Sequence, residues 1–186
     1  MKLTALLLFS SGLAAGATLH YWVQPCATPS ESGCHAGDPE LARWALEAWQ
    51  AASGGALRFE PSAKMAHAQI RVFWADGSGG LYGEARPIDV DGVHGAEVYV
   101  LPEQSRSSDP LLRDAILYLT CVHETGHALG LRHTAAFADI MYSFQFGGDI
   151  EEYFGRFRRL INTRADIQKH AGMSAADKRQ LHDLWK

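Results

Sequence analysis

Residues 123 to 133 read His-Glu-Thr-Gly-His-Ala-Leu-Gly-Leu-Arg-His, the pattern H-E-x-x-H-x-x-G-x-x-H. His123 and His127 are four apart, so on an α-helix they share one face, about 40° apart around the axis. Two imidazole nitrogens then reach toward one point. Gly130 supplies a residue that tolerates positive φ, the conformation in which many helices end. A turn there carries His133 back toward the first two histidines. Three neutral imidazoles suit a zinc ion, and three protein ligands leave the fourth tetrahedral position for water, as in catalytic rather than structural zinc sites. Glu124, on the helix surface beside His127, is placed to take a proton from that water. The expected chemistry is metal-assisted hydrolysis, with His123, His127 and His133 as ligands and Glu124 as general base.

A helix must present this pattern, and its start is marked. Asp109-Pro110 places a capping carboxylate and an N1 proline before an apolar run. One helix is expected from Leu111 to Gly130, with the motif in its second half. Cys121, two residues before His123, would point away from the ligands as a buried thiol.

The motif resembles that of the metzincin clan of zinc endopeptidases. Members carry a methionine turn beneath the metal, and Asp139-Ile140-Met141-Tyr142 follows His133 at the matching distance. The resemblance implies that Met141 is a packed floor below the ligands and does not coordinate. A tyrosine directly after the methionine, here Tyr142, is similar to the matrixin family. Clan members with a tyrosine ligand place it one residue later, where this chain has Ser143. Thr134 departs from the serine usual in animal matrixins. The resemblance further implies a cleft with substrate extended along an edge strand. Gly80 to Ala85 resembles that strand, which makes Tyr82, Gly83, Glu84 and Ala85 substrate-binding candidates; a plain surface hairpin is the equal alternative. The segment from Ser143 to about Gly172 is expected to form the wall of the primed-side pocket. It looks longer than the usual connection and contains an amphipathic run from Ile150 to Ile161. Animal matrixins also hold a structural zinc and calcium ions. Asp76, Asp89, Asp91 and His94 are the local candidates here and do not make an ion loop, so one catalytic zinc is expected and no structural calcium or second zinc.

The N-terminus combines Lys2, the apolar run Leu3–Phe9 and an A-x-A site at Ala15-Gly16-Ala17. This reads as a signal peptide over residues 1–17, and the protein is expected to be secreted or periplasmic. The apolar run is too short to span a bilayer. Cys26 and Cys34 bracket a Pro/Ser/Gly-rich loop and read as a disulfide in an oxidising compartment. The surroundings of Cys26 do not match the family's inhibitory cysteine segment, so an enzyme without a long pro-segment is expected. Losing Lys2 takes the formal charge from −4 to −5, which argues against nucleic acid as a main partner. A monomer acting on a peptide or protein is expected.

The remaining elements follow from pattern. Leu19–Val23, Leu57–Phe59, Ala68–Trp74, Gly83–Ile88 (an edge strand bounded by Pro87) and Gly95–Leu101 read as strands. Asp38-Pro39-Glu40 opens a helix with Asp38 as cap, and Leu41, Trp44, Ala45, Ala48 and Trp49 form its buried stripe. Ser174-Ala-Ala-Asp177 resembles a capping box before a last helix that buries Leu181, Leu184 and Trp185. The fold class is α+β: a twisted mixed sheet backed by two helices, a zinc cleft on the long motif helix, and a small C-terminal subdomain with a final helix. Residues 18–186 are expected to form one metzincin-like catalytic domain, split at the cleft into an upper part (18–133) and a lower part (134–186).

Three functions fit these residues. The first is a secreted zinc endopeptidase. The second is a secreted zinc-containing module that binds peptides without turnover, and Glu124 speaks against it because a binder needs no base there. The third is a hydrolase of small amides, which the long segment after Met141 disfavours.

Overall fold

A computed structural model describes residues 16–27, 32–76 and 82–186. The first fifteen residues of the expected signal peptide, part of the loop between Cys26 and Cys34, and Gly80-Leu81 of the expected substrate strand lie outside the described residues. Five strands are described: β1 (Ala17–Val23), β2 (Leu57–Pro61), β3 (Ile70–Trp74), β4 (Gly83–Val90) and β5 (Val93–Val100). Four helices of two turns or more accompany them: α1 (Asp38–Ala52), α2 (Pro110–Ala128), α3 (Ile150–Arg158) and α4 (Ala175–Leu184).

The sheet order is β2-β1-β3-β5-β4. β1 runs parallel to β2 and β3, and β3 runs parallel to β5. β4 alone is antiparallel to its neighbour, so the sheet is mixed, as expected. Alternation decides which face is covered. Ile70, Val72 and Trp74 of β3 and Ala96, Val98 and Val100 of β5 are buried in the same cluster as Leu41, Trp49 and Leu117 of α1 and α2. Trp22, Phe73 and Tyr99 line up across the other face, with ring centroids 5.6 and 5.2 Å apart.

Some local expectations change. β4 does not stop at Pro87 but runs through it to Val90. Pro87 lies opposite Ala96, whose N–H donates to Gln69 on the β3 side. At such a position the residue on β4 would point its N–H off the sheet edge, so a proline loses no ladder bond. The hairpin closes at Asp91-Gly92, both at positive φ (54° and 79°), the conformation of a tight two-residue turn. Asp38 does not cap α1; Gly37 holds the cap position. The Asp38 carboxylate instead receives both Arg113 Nη1 and Nη2, at 2.8 and 2.7 Å, in a buried bidentate pair. A bidentate pair with a guanidinium charges both partners, where a cap bond charges only the acceptor. Leu184 is 51% exposed rather than buried. α4 ends there, and Trp185 turns back so that its Nε1–H donates to Leu129 O.

Cys26 and Cys34 form a disulfide, and Cys121 is a free, buried thiol on α2. No helix among the described residues is long and apolar enough to cross a membrane.

Candidate metal centre and cleft

The motif occupies the last turns of α2. Asp109 caps the helix, accepting from the N–H groups of Leu111 and Leu112. The other end closes as a Schellman motif: Leu131 N–H donates to Gly126 O at 3.0 Å and Gly130 N–H to His127 O at 2.9 Å. Gly130 has φ 91°, which a residue with a Cβ adopts only under strain. This reversal brings His133 back. Its Nε2 lies 3.1 Å from that of His123 and 3.0 Å from that of His127. Among the described residues these three form the one group of three or more His, Cys, Asp or Glu side chains that could hold a metal ion.

The donor set fits zinc. His123 Nδ1 bonds Ile140 O at 2.6 Å, and His127 Nδ1 bonds Leu131 O at 3.0 Å. A carbonyl only accepts, so each Nδ1 carries the proton and each Nε2 presents a lone pair. The two lone pairs, with the third ring nitrogen 3.0–3.1 Å from each, suit a shared cation. Tetrahedral ligands at zinc–nitrogen distances lie about 3.3 Å apart, close to what is observed. Burial pushes the His123 pKa down to about 4, with the neighbouring His127 and His133 adding to the effect. Burial also lowers His127 and His133. Each favours the neutral, ligating form. Sequence reasoning left the partners that orient the rings unidentified, because backbone carbonyls carry no side-chain signature.

Glu124 is not on the surface as expected. It is buried, at 7% exposure, because β4 lies over it. A Cβ built on Gly83 would stand 2.7 Å from Glu124 Cγ and 3.0 Å from its Oε1. Burial raises the Glu124 pKa to about 8, with the Glu84 charge as a smaller contribution.

Met141 is fully buried beneath α2, and a Cβ on Gly126 would meet its Sδ at 2.6 Å. The turn around it is held from three sides. The Ile140 carbonyl accepts from His123, and also from Tyr153 Oη at 3.2 Å. Asp177, fully buried at the start of α4, accepts from Ile140 N–H at 2.8 Å and Met141 N–H at 3.2 Å. Asp177 completes the Ser174 capping box as well, accepting from Ser174 N–H at 2.7 Å. Its capping role was legible in the sequence; its hold on the methionine turn was not.

A cavity of about 530 Å³ opens at the triad. Tyr82, Gly83, Glu84 and Ala85 line one side, with the three histidines and Glu124. Tyr142, Ser143, Phe144 and Gln145 line the other, backed by Ile150, Tyr153 and Phe154.

A mixed α+β domain with a catalytic-type three-histidine centre, two ligands on a helix and one just after it, opening into a cleft, belongs to the class of metal-dependent hydrolases. The chain belongs to the matrixin family of peptidases, whose sequence model matches residues 30–151; it is a zinc metallopeptidase. No curated protein matches it. Solved structures similar to it include archaemetzincin from Methanopyrus kandleri, at 12% sequence identity and a TM-score of 0.49, with 94% of this chain and 98% of that chain covered.

Proposed function

We propose that the protein is a secreted zinc endopeptidase, with His123, His127 and His133 as ligands and Glu124 as the acid–base residue. The observation that carries this reading is the convergence of three imidazole nitrogens beside a buried carboxylate in one cleft. Zinc held there supplies a Lewis acid that acidifies water and polarises a carbonyl. The rest falls to the chain. The carbonyls of Ile140 and Leu131 hold the His123 and His127 rings in the Nδ1–H tautomer. Glu124 accepts a proton as water attacks the scissile carbonyl and returns it to the leaving amine. Burial raises the Glu124 pKa to about 8, and a cation held by the histidines would draw it back down, toward the range in which the carboxylate accepts a proton near neutral pH. Met141 supports the ligands from below.

β4 is an edge strand of the sheet, and residues 82–85 flank the cleft. A peptide pairing with that edge would lie extended past the triad. In this reading residues 18–133 form the upper wall and 134–186 the lower one. The leader-like first seventeen residues and the Cys26–Cys34 disulfide support export to an oxidising compartment.

The test is digestion of a broad peptide library with the zinc-loaded protein, with and without chelator, beside Glu124→Gln. Internal cleavage that stops on chelation and falls about 10²- to 10⁴-fold in the variant, with zinc content retained, is expected. Binding of peptides without cleavage would make the protein a capture module; full activity in the variant would remove Glu124 from its role.

A further inference from the structure

Two successive peptide groups beneath the metal centre are gripped at both ends. The N–H groups of Ile140 and Met141 donate to the Asp177 carboxylate at 2.8 and 3.2 Å. The carbonyl oxygens of the same two peptides, those of Asp139 and Ile140, face one hydroxyl: Tyr153 Oη lies 3.0 Å from Asp139 O and 3.2 Å from Ile140 O. Asp177 stands at the start of α4 and Tyr153 in α3, so separate helices hold the two sides. The ring behind the hydroxyl is fixed. Tyr153 is 3% exposed, Phe144 packs edge-on against it with centroids 5.0 Å apart, and the Arg156 guanidinium lies 4.4 Å over its face. Arg156 also donates to Phe137 O at 2.5 Å. In all, α3 reaches the chain between His133 and Met141 at three carbonyls. Tyr153 and Arg156 lie beyond residue 151, where the family match ends, so membership assigns them nothing.

We propose that Tyr153 is a positioning residue for the metal centre: its hydroxyl fixes the Ile140 carbonyl and, through it, the His123 ring. The inference rests on the reading of the three histidines as zinc ligands. A buried phenol needs a hydrogen-bond partner, but one acceptor satisfies it, and Asp139 O alone would do. The single proton is instead shared with a second carbonyl, which already accepts from His123 Nδ1 at 2.6 Å. A carbonyl oxygen has two lone pairs. With one donor, the Ile140 carbonyl could turn together with the imidazole. With two donors, and with the N–H of the same peptide held by Asp177, its direction is set. The His123 Nδ1–H then has one place to point. That fixes the plane of the ring and keeps its Nε2, 3.1 Å from that of His133, aimed into the triad. Removing an outer partner of a metal ligand weakens metal affinity by about 10- to 100-fold. The low end applies here, because Tyr153 acts on the carbonyl and not on the ring itself.

The test titrates zinc alone, in competition with a chromophoric chelator, onto wild type, Tyr153→Phe, Tyr153→4-aminophenylalanine and Phe157→Leu. The first variant removes one oxygen and keeps the ring. The second restores a donor, an N–H, at the same point. Phe157 is buried one turn further along α3 and has no polar atom to offer the turn, so its truncation shows what lost stability does by itself. Measured well below every melting transition, Tyr153→Phe should bind zinc about 10-fold more weakly, while the other two stay within about 3-fold of wild type. The visible bands of the cobalt-loaded protein, which report the angles among the ligands, should shift in Tyr153→Phe and return in the aminophenylalanine variant. Zinc affinity unchanged in Tyr153→Phe would overturn the positioning role and leave the zinc site standing. Equal losses in Tyr153→Phe and Phe157→Leu, or no recovery with the restored donor, would overturn it as well. Wild type that takes up no zinc would remove the ligand reading, and this role with it.

Discussion

Glycine at position 83 allows Glu124 to lie directly under β4. Any Cβ there would stand 2.7 Å from Glu124 Cγ and 2.9 Å from the Tyr99 carbonyl. The carbonyl belongs to the β5 ladder and does not yield, so the glutamate must. We expect Gly83→Ala to bind zinc normally and to lose about 10²-fold in kcat, the scale of a 1 Å misplacement of a reacting group; zinc titration and steady-state kinetics on one preparation check both halves. An unchanged kcat would mean that the glutamate has room the packing does not indicate. The histidines, the glutamate and their spacing were legible in the sequence, because a helical repeat of 3.6 residues converts spacing into geometry. The burial of Glu124 was not. It depends on a strand from another part of the chain, and the feature responsible is the absence of a side chain.

Elements show the same division between local and distant information. Caps were readable at two sites, and at Asp109 the cap holds even though its second carboxylate oxygen accepts from Arg158 Nε at 2.7 Å. Asp109 and the Ser174–Asp177 pair act as their positions suggest, whereas Asp38 is drawn off by Arg113. Pro87 reads as a boundary until the register shows that its missing N–H faces outward. Asp177 joins both kinds of information: it starts α4 and also carries the methionine turn that orients His123. Asp177→Ala leaves two buried backbone N–H groups without an acceptor, each costing about 1–3 kcal/mol. We expect a loss of about 3 kcal/mol in denaturant unfolding and a 10- to 100-fold weaker zinc affinity, the usual scale for a group that orients a metal ligand. Stability lost with zinc affinity intact would show that Ile140 O keeps its place without α4.

At the scale of the whole molecule, zinc, protons and folding are linked. The triad draws its ligands from α2 and from the segment after it, so metal binds the folded chain far better than the unfolded one. Free zinc at 100 times its dissociation constant then stabilises by about 2.7 kcal/mol, and chelation should lower the melting temperature accordingly. The chelated protein has its own pH dependence, and Glu124 and the three histidines give it opposite signs. The Glu124 pKa is raised from 4.5 to about 8. The folded state holds this proton longer than the unfolded one, so its contribution is complete below pH 4.5 and is lost as pH rises through about 8. The His123 pKa is lowered from 6.5 to about 4. Its contribution is complete above pH 6.5 and is lost as pH falls through about 4. Between pH 6.5 and 8 only the glutamate slope acts, up to about 1.4 kcal/mol per pH unit. Glu124→Gln has no proton to lose there. Its chelated form should melt at nearly constant temperature across that window while chelated wild type loses stability, and parallel curves for the two proteins would mean that the Glu124 carboxylate is not confined between α2 and β4.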